Sequence, residues 1–130
     1  MANVGIVLIS HSRALAEGAA ELARQMGVGE VSVEPAGGTE DGGLGTSIDL
    51  LEAAVRKADG GGGVVLIADL GSSVLTAKTY LEDLEEDTEV VLADAPFVEG
   101  AVAAASAAAG GADVAGVTTA AGEAYQFRKT

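Results

Sequence analysis

Cysteine is absent from this chain, which excludes disulfides, thiolate catalysis and Cys-based zinc sites. Tryptophan is absent too and aromatics are only 3% of the residues. A core must therefore come from Ala, Val, Leu and Ile, and the 48% hydrophobic content is too high for disorder. Basic side chains are scarce, 7 against 20 acidic ones, leaving a net charge of −13. That sign argues against neutralising phosphates along nucleic acid or sitting on anionic lipid. No run reaches the roughly 18 apolar residues of a membrane span; the Ala-rich stretch after Gly100 breaks at Gly110-Gly111. Met1-Ala2-Asn3 supplies no positive region ahead of the apolar run Val4 to Ile9, so nothing reads as a signal peptide. The expectation is one cytoplasmic domain spanning residues 1–130, without nucleic-acid or membrane partners.

Four apolar runs are present: Val4 to Ile9, Val31 to Pro35, Val64 to Ala68 and Val90 to Ala93. The first and third are near-continuous, as in strands covered on both faces. The second alternates and suits a sheet edge. Helical spacing lies between them. Leu15, Ala19, Leu22 and Met26 form one stripe ending at Gly27; Ile48, Leu51, Val55 and Ala58 form another, with Thr46 and Asp49 spaced as a capping box. Ala77, Leu81 and Leu84 follow Ser72-Ser73, either of which is a candidate cap. Val98, Val102, Ala105 and Ala109 follow Pro96 and precede Gly110-Gly111. The order β-α-β-α-β-α-β-α predicts a doubly wound, flavodoxin-like α/β sandwich with four parallel strands in the order 2-1-3-4. Asp113 to Thr119 is a candidate short fifth strand at an edge, and residues from about 120 to 130 read as a polar tail. The acidic run Glu82 to Glu89 reads as a solvated helix end.

In such sheets chemistry gathers beyond the carboxyl ends of the strands, where the strand order reverses. Strand 1 leads into Ser10-His11-Ser12-Arg13, and strand 3 into Asp69-Leu70-Gly71-Ser72-Ser73. Neighbouring strands lie about 4.8 Å apart, so the only histidine of the chain and an aspartate come together. A carboxylate that accepts from one ring nitrogen fixes the tautomer, leaves a lone pair on the other, and stabilises the cation formed when that lone pair attacks an electrophile. The helix N-termini after His11 and near Ser72 suit an anion such as a phosphoryl group. Each residue also has a plainer reading: His11 as a surface loop residue, Asp69 as a strand-end cap, Arg13 as a solvated first-turn side chain. The glycine-rich segment Gly37 to Ser47 lies on the same rim; it is neither a Walker loop nor a dinucleotide fingerprint, and a flexible connector is its plainer reading. Glu40-Asp41, two adjacent carboxylates without a scaffold, make no case for a metal. The candidate site is His11 with Asp69, and a phosphate-binding or partner rim of Ser12, Arg13, Gly38, Thr39, Gly71, Ser72 and Ser73.

Four segments carry a resemblance: Val4 to Ser12, Gly37 to Ser47, Asp69 to Ser73, and Asp94-Ala95-Pro96-Phe97-Val98-Glu99-Gly100-Ala101. Together they resemble the phosphotransferase subunit of phosphoenolpyruvate-dependent dihydroxyacetone kinase, the DhaM type, which shares the fold of mannose-class enzyme IIA. The resemblance implies that His11 takes a phosphoryl group on Nε2 from the phosphocarrier protein HPr, with Asp69 holding Nδ1–H. It implies delivery to ADP held on the nucleotide-binding subunit of the kinase, with no cofactor of its own. It further implies a homodimer completed by an exchanged C-terminal strand, for which Asp113 to Thr119 is the candidate. Transporter relatives carry a Phe-Gly-Gly-Ser-Pro type segment after the strand-3 aspartate. Gly71-Ser72-Ser73-Val74 stands there without proline and favours the kinase subunit over a sugar-transporter enzyme IIA component. A receiver-like signalling domain phosphorylated on Asp69 is the reading from another class. Receivers need an acidic pair after strand 1 and a lysine after strand 5, whereas this chain has Ser-His-Ser and only Lys57, Lys78 and Lys129.

Overall fold

The central strands are apolar at almost every position because both faces of the sheet are covered. The computed structural model describes residues 2–84 and 88–130, so residues 85–87 of the expected solvated helix end lie outside it. Strands β1 (Gly5–Ser10), β2 (Val33–Gly37), β3 (Val64–Ala68) and β4 (Val90–Leu92) form one parallel sheet in the order β2-β1-β3-β4. Side chains alternate across it. Ile6, Leu8, Val65 and Ile67 face one way; Val7, Ile9, Val64 and Leu66 face the other. Helices α1 (Arg13–Met26), α4 (Phe97–Ala109) and α5 (Val114–Glu123) cover the first face, and α2 (Ile48–Ala58) and α3 (Gly71–Glu82) the second. This is the expected doubly wound α/β architecture. Pro35, which has no N–H to give a ladder, sits in the edge strand β2 opposite Leu8.

Several local expectations fail. The segment Asp113 to Thr119 is not a strand. Asp113 caps α5 by accepting from the Gly116 amide at 2.9 Å, and Val114, Val117 and Ala121 are buried at helical spacing. Burial of that stripe on α4 overrides the strand preference of Val and Thr. The tail is correspondingly shorter than expected, since α5 runs to Glu123 and a single 3-10 turn, Ala124–Gln126, follows it. Strand β2 starts two residues later than its alternation suggested.

The stripes of α1 and α4 are rotated as well. Leu15, Leu22, Met26 and Val98 are exposed, whereas Ala16, Ala19, Ala20 and Ala23 of α1 and Gly100, Ala101, Ala104, Ala105 and Ala108 of α4 are buried. Small residues win because the backbones come close. A Cβ added at Gly37 would stand 2.6 Å from the Ser12 carbonyl oxygen and 2.8 Å from the Ala16 Cβ, leaving no room for leucine between α1 and β2. At α2 the cap is Ser47, not Thr46; its Oγ accepts from the Leu50 amide. At α3 the N-cap is Leu70, so Ser72 and Ser73 lie inside the first turn, and Leu84 falls beyond the helix end.

Candidate active site

Register brings the two halves of the site together. Ile9 pairs with Ala68, so Ser10 and Asp69 stand opposite one another past the ladder, and the Asp69 amide still donates to the Ile9 carbonyl at 3.1 Å. His11 follows, in the bend between β1 and the cap of α1. Its backbone is gripped from both sides. The His11 amide donates to Asp69 Oδ2 at 3.2 Å, and its carbonyl accepts from the Gly45 amide at 2.9 Å.

The imidazole is oriented by Asp69 and Ser73. Nδ1 lies 3.3 Å from Asp69 Oδ1 and 3.1 Å from Ser73 Oγ, while the Ser73 hydroxyl donates to Asp69 Oδ1 at 2.6 Å. Since Ser73 has given its only proton to the carboxylate, its oxygen can only accept from the ring. Nδ1 therefore carries the hydrogen, and Nε2 holds the lone pair. Nε2 is hydrogen-bonded to Ser72 Oγ; with the lone pair on the ring, Ser72 is the donor. The His11 side chain is 26% exposed and that of Asp69 is 8% exposed, so the ring can be reached and its orienting carboxylate is sheltered.

Asp69 is saturated with donors. Oδ2 accepts from Ser10 Oγ at 2.8 Å and from the His11 amide; Oδ1 accepts from Ser73 Oγ and from the Leu70 amide at 2.7 Å. Burial pushes the carboxyl pKa up, but the hydroxyls of Ser73 and Ser10 and the amides of His11 and Leu70 outweigh it, leaving it below the ordinary carboxylate value. Asp69 is thus an anion held still.

The rim residues divide into three groups. Ser12 caps α1 by accepting from the Leu15 amide at 3.2 Å, and the exposed Arg13 side chain forms no ion pair among the described residues. Ser72 and Gly71 open α3, whose N-cap Leu70 offers no side-chain acceptor, so the first-turn amides remain free for an anion. Gly38 and Thr39 shape the glycine-rich loop. Gly38, at φ +75°, donates to the Ser10 carbonyl at 3.1 Å. Thr39 Oγ1 accepts from the Gly43 amide at 3.0 Å and donates to Asp41. The Asp41 pKa is lowered by that Thr39 bond and by the Gly43 amide. Asp41 therefore builds a turn while Glu40 accepts from Ser47 Oγ at 3.3 Å, and among the described residues no group of three or more His, Asp and Glu converges as a metal requires.

Ser73 was expected on the phosphate-binding rim; it is instead fully buried behind the ring. Two contributors escape the sequence reading. Ser10, also fully buried, orders Asp69 while accepting from the Ser12 amide at 3.0 Å. A hydroxyl closing an otherwise apolar strand was the available signal. Thr46, read as half of a capping box, bonds Thr76 of α3 at 2.6 Å and ties the loop across the site; no local pattern announces that contact.

The sequence matches the EIIA-man family, described as the PTS system fructose IIA component, over residues 5–118. It is 39% identical over 104 residues to PEP-dependent dihydroxyacetone kinase 1, phosphoryl donor subunit DhaM, of Listeria innocua, covering 78% of this chain and 79% of that one. The corresponding DhaM subunit of Providencia stuartii is 34% identical over 131 residues; 97% of this chain is matched, but the chain spans only 28% of that relative's length. Among solved structures, the crystal structure of a protein of unknown function superposes with a TM-score of 0.82 at 35% identity, covering 92% of each chain.

Proposed function

The chain belongs to the EIIA-man family and its relatives are DhaM subunits; from that membership and the site geometry we propose that it is the phosphoryl donor subunit of a PEP-dependent dihydroxyacetone kinase, carrying the phosphoryl group on Nε2 of His11. The observation that carries this is the ring's polarity. Asp69 and Ser73 occupy Nδ1, and the free nitrogen faces Ser72 at the uncapped start of α3.

The lone pair of Nε2 attacks the phosphorus of an incoming phosphohistidine on HPr. The donor's N–P bond breaks and its electron pair returns to the donor ring nitrogen. Positive charge develops on the His11 ring, where the fixed carboxylate of Asp69 stabilises it without rearrangement. Ser72 turns its hydroxyl from Nε2 to a phosphoryl oxygen, and the amides at the start of α3 serve the others. In the second half-reaction a terminal oxygen of ADP, bound on the kinase's nucleotide-binding subunit, attacks the same phosphorus. The Nε2–P bond breaks, ATP forms there, and His11 returns to its starting tautomer. This chain needs no cofactor or nucleotide site of its own for either step.

Asp69 itself is a poor phosphoryl acceptor, since both its oxygens are taken up by hydrogen bonds. This disfavours a receiver-like role. Pairing of two copies belongs to the same proposal; its surface is the exposed apolar face of Leu22, Met26, Val98 and Phe127 rather than an exchanged strand, because residues 113–119 are helical. Labelling with phosphoenolpyruvate, enzyme I and HPr tests the chemistry. An acid-labile adduct lost in His11→Ala supports it, and label that persists in that variant rejects it.

A further inference from the structure

A closed circuit of contacts leaves His11 through its backbone and returns to its side chain. The His11 carbonyl accepts from the Gly45 amide at 2.9 Å, and the next residue, Thr46, meets Thr76 Oγ1 with its own Oγ1 at 2.6 Å. Thr76 Oγ1 donates to the Ser72 carbonyl at 3.1 Å, one turn back along α3. Ser72 Oγ then closes the circuit at Nε2. The direction of the central bond follows from the proton count. Thr76 has spent its single hydroxyl proton on the Ser72 carbonyl, so Thr46 donates and Thr76 accepts.

Thr46 is itself anchored on both sides. Gly45 holds φ +134°, in the region that favours glycine, and a Cβ there would stand 2.9 Å from Thr39 Cγ2. Ser47 caps α2. The Thr46 hydroxyl is therefore a fixed point, and α3 needs one. Its N-cap, Leu70, makes no side-chain bond to the first-turn amides, and Gly71 and Ser72 are exposed, conditions under which a helix start frays. Ser73 pins that turn from inside through Asp69 at 2.6 Å; Thr46 pins it from the glycine-rich loop. Donors stabilise a transferring group best when they already stand in place. Resting on the function proposed above, we infer that Thr46 is a positioning residue for the transfer: acting through Thr76, it holds Ser72 and the first-turn amides of α3 at Nε2. It makes no bond to phosphorus.

Thr46→Val keeps the shape of the side chain and deletes the hydroxyl. In rapid-quench labelling from phosphorylated HPr its maximal uptake rate should fall about tenfold, while the half-saturating HPr concentration stays within about twofold. Thr46→Ser should recover most of the rate. Thr76→Val should resemble Thr46→Val, and the double variant should fall no further than either, because each deletes the same link. Thr79→Val is the control. Thr79 makes the same backward bond, to the Leu75 carbonyl at 2.9 Å, with none to the loop among the described residues, and its variant should match the parent. Nitrogen-15 NMR of the ring gives a readout independent of HPr. In Thr46→Val the Nε2 signal should move downfield as the Ser72 bond loosens, while the proton stays on Nδ1, which Asp69 and Ser73 still hold. Parent-like uptake in Thr46→Val, or an Nε2 signal that does not move, overturns the inference and leaves the proposed function standing. A raised half-saturating concentration at an unchanged maximal rate also overturns it, since Thr46 would then serve the encounter. So does a loss shared by Thr79→Val or kept in Thr46→Ser, because the hydroxyl link would not be its cause. An unaltered protein that takes no label from HPr defeats the proposed function, and the role in transfer with it.

Discussion

Replacing Asp69 by asparagine conserves the shape of the carboxylate and changes only its charge and one acceptor. Each oxygen now accepts from a hydroxyl and from a backbone amide. The hydroxyls can rotate, but the amides cannot. An asparagine NH2 must face the His11 amide in one orientation or the Leu70 amide in the other. The first is preferred, because the carbonyl oxygen then keeps the ring hydrogen at Nδ1. One partly buried amide is left unpaired, a destabilisation of about 1–3 kcal/mol. With an unfolding entropy near 0.27 kcal/mol/K for 130 residues, that is a fall of about 4–11 °C in Tm.

The effect on transfer follows from charge. A full positive charge on Nδ1, 3.3 Å from Oδ1, would be stabilised by about 5 kcal/mol at an effective dielectric of about 20. With about half that charge developed in the transition state, Asp69→Asn removes roughly 2–3 kcal/mol and slows phosphoryl uptake about 30- to 150-fold. Rapid-quench labelling from phosphorylated HPr, together with a thermal melt, measures both quantities. A variant that melts as predicted yet takes up phosphate within threefold of the parent would refute the electrostatic role of Asp69.

The lowered pKa of Asp69 fixes its pH window: its hydrogen bonds contribute stability above the ordinary carboxylate value near 3.9 that is lost as pH falls through the lower folded value, so the difference between parent and Asp69→Asn in urea midpoint should shrink as the pH falls below about 4. Ser10→Ala deletes a fully buried hydroxyl that donates to a carboxylate, and chemical denaturation should register a loss of about 1.5–3 kcal/mol with slower uptake of label. Gly37→Ala should destabilise by about 1–3 kcal/mol through collision with the Ser12 carbonyl, whereas Gly18→Ala, in an exposed helical position with no atom in the way, should stabilise by about 0.4–1 kcal/mol; equal urea midpoints for the two would contradict the close approach of α1 to β2. Stopped-flow association with HPr should slow with added salt, as steering by a chain of net charge −13 requires.

By itself the sequence determined the sheet and the place of the candidate site. Continuous apolar runs such as Val4 to Ile9 must be covered on both faces, and strands alternating with amphipathic helices leave few ways to connect them. The single histidine after β1 and Asp69 after β3 were bound to meet once β1 and β3 became neighbours. What the tertiary structure decided is which face of each helix points inward, and which hydroxyls serve the ring. Periodicity marks a stripe but carries no information on how closely two backbones approach. Where α1 meets Gly37 the gap admits only alanine, so the leucine and methionine stripe turns outward. Asp113 to Thr119 became a helix for a similar reason, since its valines found cover on α4. The roles of Ser10, Ser73 and Thr46 were undecidable locally: each hydroxyl reaches a partner that only three-dimensional packing sets within about 3 Å of it, Asp69 for Ser10, the His11 ring for Ser73 and Thr76 for Thr46, and these lie 30 to 62 residues away along the chain.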